Sequence, residues 1–295
     1  MNAMNQLKKT YDEKGYVLCD RLLPAELIAQ LQDAIDVVVA AGSTLTESDD
    51  VYEILDDLES QQTRIERIKS PHKVDQLFDG LIRRSEITDV LRTLLGSNVR
   101  LQNSKLNLKS KGGSAPAEWH QDWAFYPHTN DDVLAVAIMI DDMTEDNGPV
   151  LFAPGTHRGP VYEHMSNGVF CGAVAEDVAV GLPAVAETIT GAAGTVSFHH
   201  ARLLHASLAN KSGANRRLLL YEVMAADAWP LTGCAAVFES WDSMNQRIVI
   251  GEQSATPRLC DVPVLMPQPT PTKVTSIFQL QREGENKYYL DGTHS

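Results

Sequence analysis

An α+β protein, mainly β, is the fold class that the sequence predicts, with a helical N-terminal part packed on a β-sandwich or barrel. Three observations carry it. Residues before Gly96 repeat their apolar positions at helical spacing, and residues after it break into short apolar segments separated by turn residues. No repeat, low-complexity tract or interdomain linker divides the 295 residues. One domain spanning 1–295 is therefore expected, helical over 1–96, strand-rich over 97–226 and extended C-terminally over 227–295.

The elements follow in order. Pro24 suits a first helical turn, and LLPAELIAQLQDAIDVVVA places apolar residues every three or four positions. Gly42–Gln62 holds seven carboxylates and no Lys or Arg, and reads as a loop leading into a short helix around Val51–Leu58. Two further helices are expected near Val74–Arg83 and Glu86–Leu95, the second closed by Gly96. Strands are expected at Val99–Leu108, Glu118–Tyr126, Val133–Asp141, Pro149–Ala153, Gly194–His200 and Arg216–Ala225. The run VLAVAIMI is apolar on both faces, as a fully buried strand requires. DNG at Asp146–Gly148, PGT at Pro154–Thr156 and KSGAN at Lys211–Asn215 are the turn signals. Val161–Thr190 alternates weakly and reads as a long insertion that carries function or covers a site.

Composition bounds the function. The net charge of −14 counts against a nucleic-acid binder, which must neutralise phosphates with a basic face. No apolar run approaches the ~18–20 residues of a membrane span, and mean hydropathy is −0.19. Cys19, Cys171, Cys234 and Cys260 are widely separated without a CxxC pair, which argues against a zinc knuckle or a disulfide framework. The N-terminal residues lack the apolar stretch of a secretory signal, so a reducing, cytoplasmic setting is expected. Charge is unevenly distributed: Gly194–Arg217 has four Lys or Arg and no acid, and four more precede Glu118 from Val99 onward. Such basic islands suit a pocket for an anion.

The chemistry concentrates in WHQDWAFYPH. His120 and Asp122 are two apart, so on a strand both leave the same face. His205 opens a second strand in GTVSFHHARLLHASLAN, and two histidines with one carboxylate make the facial triad of mononuclear non-haem iron. A closed zinc site would need a fourth ligand, and no cysteine is placed to supply one. Arg216 or Arg217 offers a planar guanidinium that forks onto a carboxylate, but adjacent strand residues face opposite ways and only one can enter the site. Ser207 shares a face with His205 and could add a hydroxyl to the same carboxylate.

HQD at His120–Asp122, DNGPV at Asp146–Val150, PGTHRG at Pro154–Gly159, and His205-x-Ser207 followed by Arg216 resemble the phytanoyl-CoA dioxygenase family. The resemblance runs from about Val99 to Ala225 and more loosely over the N-terminal helices. It implies a double-stranded β-helix, a jelly-roll and cupin-like core, with Fe(II) held by His120, Asp122 and His205. It makes Arg216, with Ser207 alongside, the anchor of the cosubstrate 2-oxoglutarate, and O2 the second cosubstrate. The expected reaction is hydroxylation of an unactivated C–H bond of a small molecule, with release of succinate and CO2. Related iron halogenases replace the carboxylate ligand by Gly or Ala, so Asp122 disfavours halogenation. Desaturation and ring formation are lesser alternatives, and a non-catalytic jelly-roll sensor of metal and ligand is the rival from another class.

Among the neighbours, Asn103, Lys105, Asn107 and Lys109 share one strand face, which could line the cavity or be solvated. Lys105 is a candidate for 2-oxoglutarate, and Lys109, Tyr126 and Gln121 for substrate. Period two puts Tyr126 on the face of His120 and Trp123 beneath it, an assignment that a bulge would invert. His200 either stands behind the site or packs at a strand end, and His199 replaces the apolar residue usual in the family. Relatives of this kind oxidise acyl-CoA thioesters, amino-acid-like solutes, organophosphonates or natural products. The absence of a basic surface for CoA phosphates favours a small polar metabolite. The N-terminal helices and Val161–Thr190 are the expected lid.

Overall fold

A computed structural model describes residues 3–57, 62–111, 114–231, 240–266, 269–271 and 277–290. The N-terminal part contains α1 (Ala3–Lys14), β1 (Tyr16–Cys19), α2 (Ala25–Gly42), β2 (Tyr52–Asp57), β3 (Gln62–Lys69), α3 (Pro71–Val74), α4 (Gln76–Leu81) and α5 (Ser85–Leu95). The core follows with β4 (Val99–Lys109), β5 (Ala117–His120), β6 (Val133–Met139), β7 (Val150–Phe152), β8 (Met165–Ser166), β9 (Val169–Phe170), α6 (Glu176–Ala179), β10 (Glu187–Ile189), β11 (Val196–His200), β12 (His205–Ser207) and β13 (Arg216–Ala225). Then come α7 (Trp241–Gln246), β14 (Ile248–Ile250) and α8 (Ile277–Glu283).

Eight strands form a large sheet in the order β1-β11-β6-β13-β4-β3-β2, with β14 also paired to β4, and four form a small sheet in the order β10-β7-β12-β5. The pairings within both are antiparallel, and the two sheets make the double-stranded β-helix. Period two explains why β6 and β13 are apolar throughout. Leu134, Val136, Ile138, Leu219, Tyr221 and Val223 pack against Leu31 and Ile35 of α2 and Ile87 and Leu91 of α5. Their neighbours Ala137, Met139, Leu218 and Leu220 turn the other way, towards Phe152 of the small sheet. Each fully buried Leu or Ile contributes about 1.5–3 kcal/mol, so the helices clamp one face of the large sheet and leave the other for a cavity.

Two expectations about the front of the chain are corrected. The helix expected around Val51–Leu58 is strand β2 over its described part, paired with β3, which in turn pairs β4 with Arg67 opposite Asn107. A free edge of β4 accepts the hairpin, and Ile68 is buried against Leu106 as its Cα partner. The helix expected near Val74–Arg83 is two short helices, because the Asp75 side chain accepts from the Leu77 amide and starts α4 afresh. By contrast, α5 ends at Gly96 with φ +95° as its glycine stop required.

The insertion is also shorter than expected. Its last residues, Glu187–Ile189, are strand β10 against β7, so only the portion before it is extra to the sheets. The C-terminal segment, unassigned by pattern, docks on β5. Gln281 accepts from the Glu118 amide at 2.8 Å and donates to the Gly172 carbonyl at 2.8 Å. The buried Glu118 carboxylate accepts from the amides of Tyr288, Tyr289 and Leu290 at 2.7–3.0 Å. Replacing Glu118 by Ala strands these donors. The expected result is a loss of about 2–4 kcal/mol, read as a lower denaturation midpoint, with earlier proteolysis at the C-terminal end.

Candidate metal centre

His120 ends β5 and His205 begins β12, and the antiparallel register sets them opposite each other with ring centroids 4.1 Å apart. After His120 the strand stops. Gln121 stays extended, and Asp122–Ala124 is a turn of 3-10 helix, with the Phe125 amide donating to the Asp122 carbonyl at 2.9 Å. The turn keeps the Asp122 carboxylate beside the imidazoles. Asp122 Oδ1 lies 4.0 Å from His120 Nε2 and 3.9 Å from His205 Nε2. All three side chains are buried, and their candidate ligand atoms lie within 4.8 Å of one another.

The hydrogen bonds fix which atoms are free. His120 Nδ1 lies 2.7 Å from the Glu118 carbonyl and His205 Nδ1 2.9 Å from the Leu203 carbonyl. A carbonyl can only accept, so each Nδ1 holds the proton and each Nε2 keeps its lone pair for the site. Burial, and then the neighbouring His205, holds the His120 imidazole well below its usual range. Burial, partly offset by Asp122, takes His205 to about 4. Both are therefore neutral near pH 7, as metal ligation demands. Burial pushes the Asp122 carboxyl up, but Lys105, His205 and His199 outweigh it and leave the group well below the ordinary carboxylate value. Asp122 Oδ2 is buried with no hydrogen-bond partner. Two neutral imidazole nitrogens and one carboxylate, one of whose oxygens is orphaned, fit a divalent metal, and the donor set is that of a facial iron site.

Along the same cavity lies Arg216, 2 % exposed. Its Nη2 donates to the Gly148 carbonyl at 2.7 Å, while Nε and Nη1 are buried without partners. Burial pulls its pKa down to about 10. A half-satisfied buried guanidinium is costly, and an anion is the group that completes it. The DNG turn prepares that geometry. Gly148 has φ +87°, and a Cβ there would sit 2.6 Å from Lys109 Cδ and 2.9 Å from the Leu208 carbonyl oxygen. Arg217 faces the opposite side of β13, donating to Asp141 and Asp36. Parity thus leaves Arg216 as the cavity guanidinium.

The cavity, about 70 Å³, is lined by His120, Asp122, His205, Arg216, Ser207, Lys105 and Lys109. Of the polar face expected on β4, Lys105, Asn107 and Lys109 therefore line the cavity, whereas Asn103 accepts from the Ser70 hydroxyl instead. Lys105 donates to Glu222 at 2.8 Å and stands 3.9 Å from Asp122. Burial acts to lower its pKa, but Glu222 and then Asp122 raise it overall. Lys109 donates to the Leu208 carbonyl, and burial followed by the Arg216 charge pushes its pKa well down.

Two expected substrate contacts lie elsewhere. Gln121 spends its amide on loops, donating to the Pro160 and Arg202 carbonyls at 3.1 and 2.8 Å and accepting from the Tyr162 amide at 2.9 Å. Tyr126 is buried among Trp123, Ala124 and Phe170, because the helical turn after His120 ends the period-two alternation. Trp123 packs beneath, as expected, and donates to the Pro263 carbonyl at 3.0 Å. The expected lid is corrected as well. The N-terminal helices cover the outer face of the large sheet, and Ile189 alone of Val161–Thr190 lines the cavity, alongside Ile277 and Phe278 of α8.

Sequence reasoning left His199 unexplained and missed Glu222 and Arg67. His199 lines the cavity with Nε2 3.6 Å from Asp122 Oδ2, which accounts for a polar residue at a usually apolar position. Glu222 shares the face of Arg216 by parity on β13, a signal that was available. His200 packs at the end of β11 against Tyr11 and His157, its Nδ1 accepting from the Arg202 amide at 3.0 Å, and does not line the cavity. Cys234 lies outside the described residues, and Cys19, Cys171 and Cys260 are free.

Comparison with known proteins agrees. The family model for phytanoyl-CoA dioxygenase matches residues 11–218. A probable alpha-ketoglutarate-dependent hypophosphite dioxygenase of Stutzerimonas stutzeri is 37% identical over 287 residues, covering 96% of this chain and 98% of that protein. The L-proline trans-4-hydroxylase of Streptomyces griseoviridis is 27% identical over 55% of this chain and 68% of its own length. Among solved structures, EctD from S. alaskensis with bound Fe superposes with a TM-score of 0.67 at 23% identity, over 88% of this chain and 87% of that one. Its likeness shows the shared fold. Motifs, sheet topology, family model and near full-length relative coincide: the chain belongs to the phytanoyl-CoA dioxygenase family of Fe(II)- and 2-oxoglutarate-dependent oxygenases.

Proposed function

We propose that this protein, an Fe(II)- and 2-oxoglutarate-dependent dioxygenase, oxidises a compact polar metabolite, with His120, Asp122 and His205 holding the iron and Arg216 and Ser207 the far carboxylate of 2-oxoglutarate. The observation that carries the residue assignment is the pair of unpartnered Arg216 nitrogens in the cavity that holds the two free Nε2 atoms. Bound iron, with 2-oxoglutarate and O2, supplies the oxidising equivalent, and succinate and CO2 leave. The chain's own residues do the rest. Arg216 fixes the cosubstrate by a charge-assisted fork, Lys105 offsets the Asp122 charge, and Phe278 and Ile277 help exclude water.

The small cavity and the hypophosphite dioxygenase relative support a compact substrate over an acyl-CoA or a large scaffold. A cytoplasmic setting is supported by the free thiols, and no helix among the described residues is long and apolar enough to cross a membrane. A succinate-release screen with hypophosphite, L-proline and ectoine tests the reading. Substrate-dependent succinate with at least one compact substrate is expected. Turnover confined to acyl-CoA thioesters would sink the substrate class.

A further inference from the structure

A second guanidinium reaches this cavity from a part of the chain with no motif. Arg67 lies on β3, beside Asn107 of β4, and both line the cavity. Its Nε donates to Asn107 Oδ1 at 3.1 Å, and its guanidinium carbon stands 5.3 Å from the centroid of the Phe278 ring. Nη2 is buried and has no partner. Glu53 forms an ion pair with Nε at 3.8 Å, too long for a hydrogen bond, and its Oε2 has no donor, so the pair balances charge but leaves the hydrogen-bonding capacity of the guanidinium unspent. Lys105, the other cation on this side, is already joined to Glu222 at 2.8 Å. Arg67 is therefore the cavity cation, apart from Arg216, with an unspent buried guanidinium donor, and its side chain is only 11% exposed.

Its place in the sheet separates it from the cosubstrate anchor. Arg216 is on β13 and Arg67 on β3, with β4 between them. Two strand spacings put their backbones about 9–10 Å apart, and each guanidinium is held by its own element, Arg67 by Asn107 of β4 and Arg216 by the Gly148 carbonyl. Burying an unpaired guanidinium donor is unfavourable unless a ligand completes it, and a planar fork is completed best by two oxygens of one anion.

We propose that Arg67, steadied by Asn107 and Phe278, is the substrate-binding subsite for a compact oxyanion, and so fixes the substrate class as anionic. This rests on the cavity being the dioxygenase site. The oxyanion is a phosphorus oxyacid or a small carboxylate, which share the paired oxygens the guanidinium reads.

The test uses the full chain loaded with Fe(II) and 2-oxoglutarate, comparing wild type with Arg67→Gln and Arg67→Lys. Hypophosphite, a phosphorus oxyanion, and L-proline, whose carboxylate is carried by a zwitterion, are the probes. Binding is followed anaerobically by perturbation of the Fe(II)–2-oxoglutarate charge-transfer band, and turnover by succinate. Arg67→Gln is expected to weaken the responding anion at least about 30-fold, with the 2-oxoglutarate KM and the unperturbed band unchanged. Arg67→Lys keeps charge without the fork and should recover part of the loss. The anion that responds identifies the source. A raised 2-oxoglutarate KM would assign Arg67 to the cosubstrate and overturn the proposal. So would an unchanged anion affinity, or a wild-type band that neither anion perturbs. Absence of the band itself would instead count against the cofactor reading above.

Discussion

Asp122→Ala should abolish succinate formation, lowering it at least about 10³-fold, or ~4 kcal/mol of activation free energy. Asp122 supplies the sole carboxylate of the candidate donor group. Without it the chain's own donor group is reduced to two neutral imidazoles, and the protein supplies no charge there to offset a buried dication. The fold should survive. Asp122 Oδ2 has no hydrogen-bond partner to lose, Lys105 keeps its 2.8 Å bond to Glu222, and His120 and His205 keep their backbone bonds. Circular dichroism and melting temperature should therefore stay near wild type, while iron bound per chain falls. Retained turnover would remove Asp122 from the ligand set.

The second large effect separates two adjacent arginines. Arg216→Ala is expected to raise the 2-oxoglutarate KM about 30- to 10³-fold, since truncating one partner of a buried, hydrogen-bonded charge pair costs about 2–4 kcal/mol. Arg217→Ala should leave that KM unchanged. It loses instead the bonds to Asp141 at 2.7 and 3.0 Å and to Asp36 at 2.8 Å, costing about 1 kcal/mol or somewhat more in stability for a half-buried ion pair. Steady-state kinetics with urea denaturation reads both. A larger KM change for Arg217→Ala would mean that the other face of β13 meets the cosubstrate.

Much of the strand core is legible in local pattern. Arg216–Ala225 is a strand with those bounds, and β4 and β6 lie within two residues of their expected ranges. These segments are long or strongly β-branched, and period two reports on them directly. The positive φ of Gly148 was likewise readable from DNG. Shorter features escaped. The helical turn at Asp122–Ala124 occupies three residues, too few for any period to register, and it removed Tyr126 and Gln121 from the expected contacts. β2 and β3 escaped because their stabilising partner is the edge of β4, and α8 because its partner is β5, with Gln281 and Glu118 163 residues apart.

The sequence by itself determined the chemistry available: two histidines, a carboxylate and a downstream arginine on a strand whose parity puts Arg216 and Arg217 on opposite faces. Which face looks into the cavity, which segment covers it, and which extra cation enters it were decided only by the tertiary structure. The reason is physical. Side-chain alternation is fixed by bonds between neighbours, whereas the inside of a sheet is defined by what packs against it. Here that is α2 and α5 on one face and the small sheet on the other, with α8 and the β2–β3 hairpin bringing Phe278 and Arg67 to the cavity.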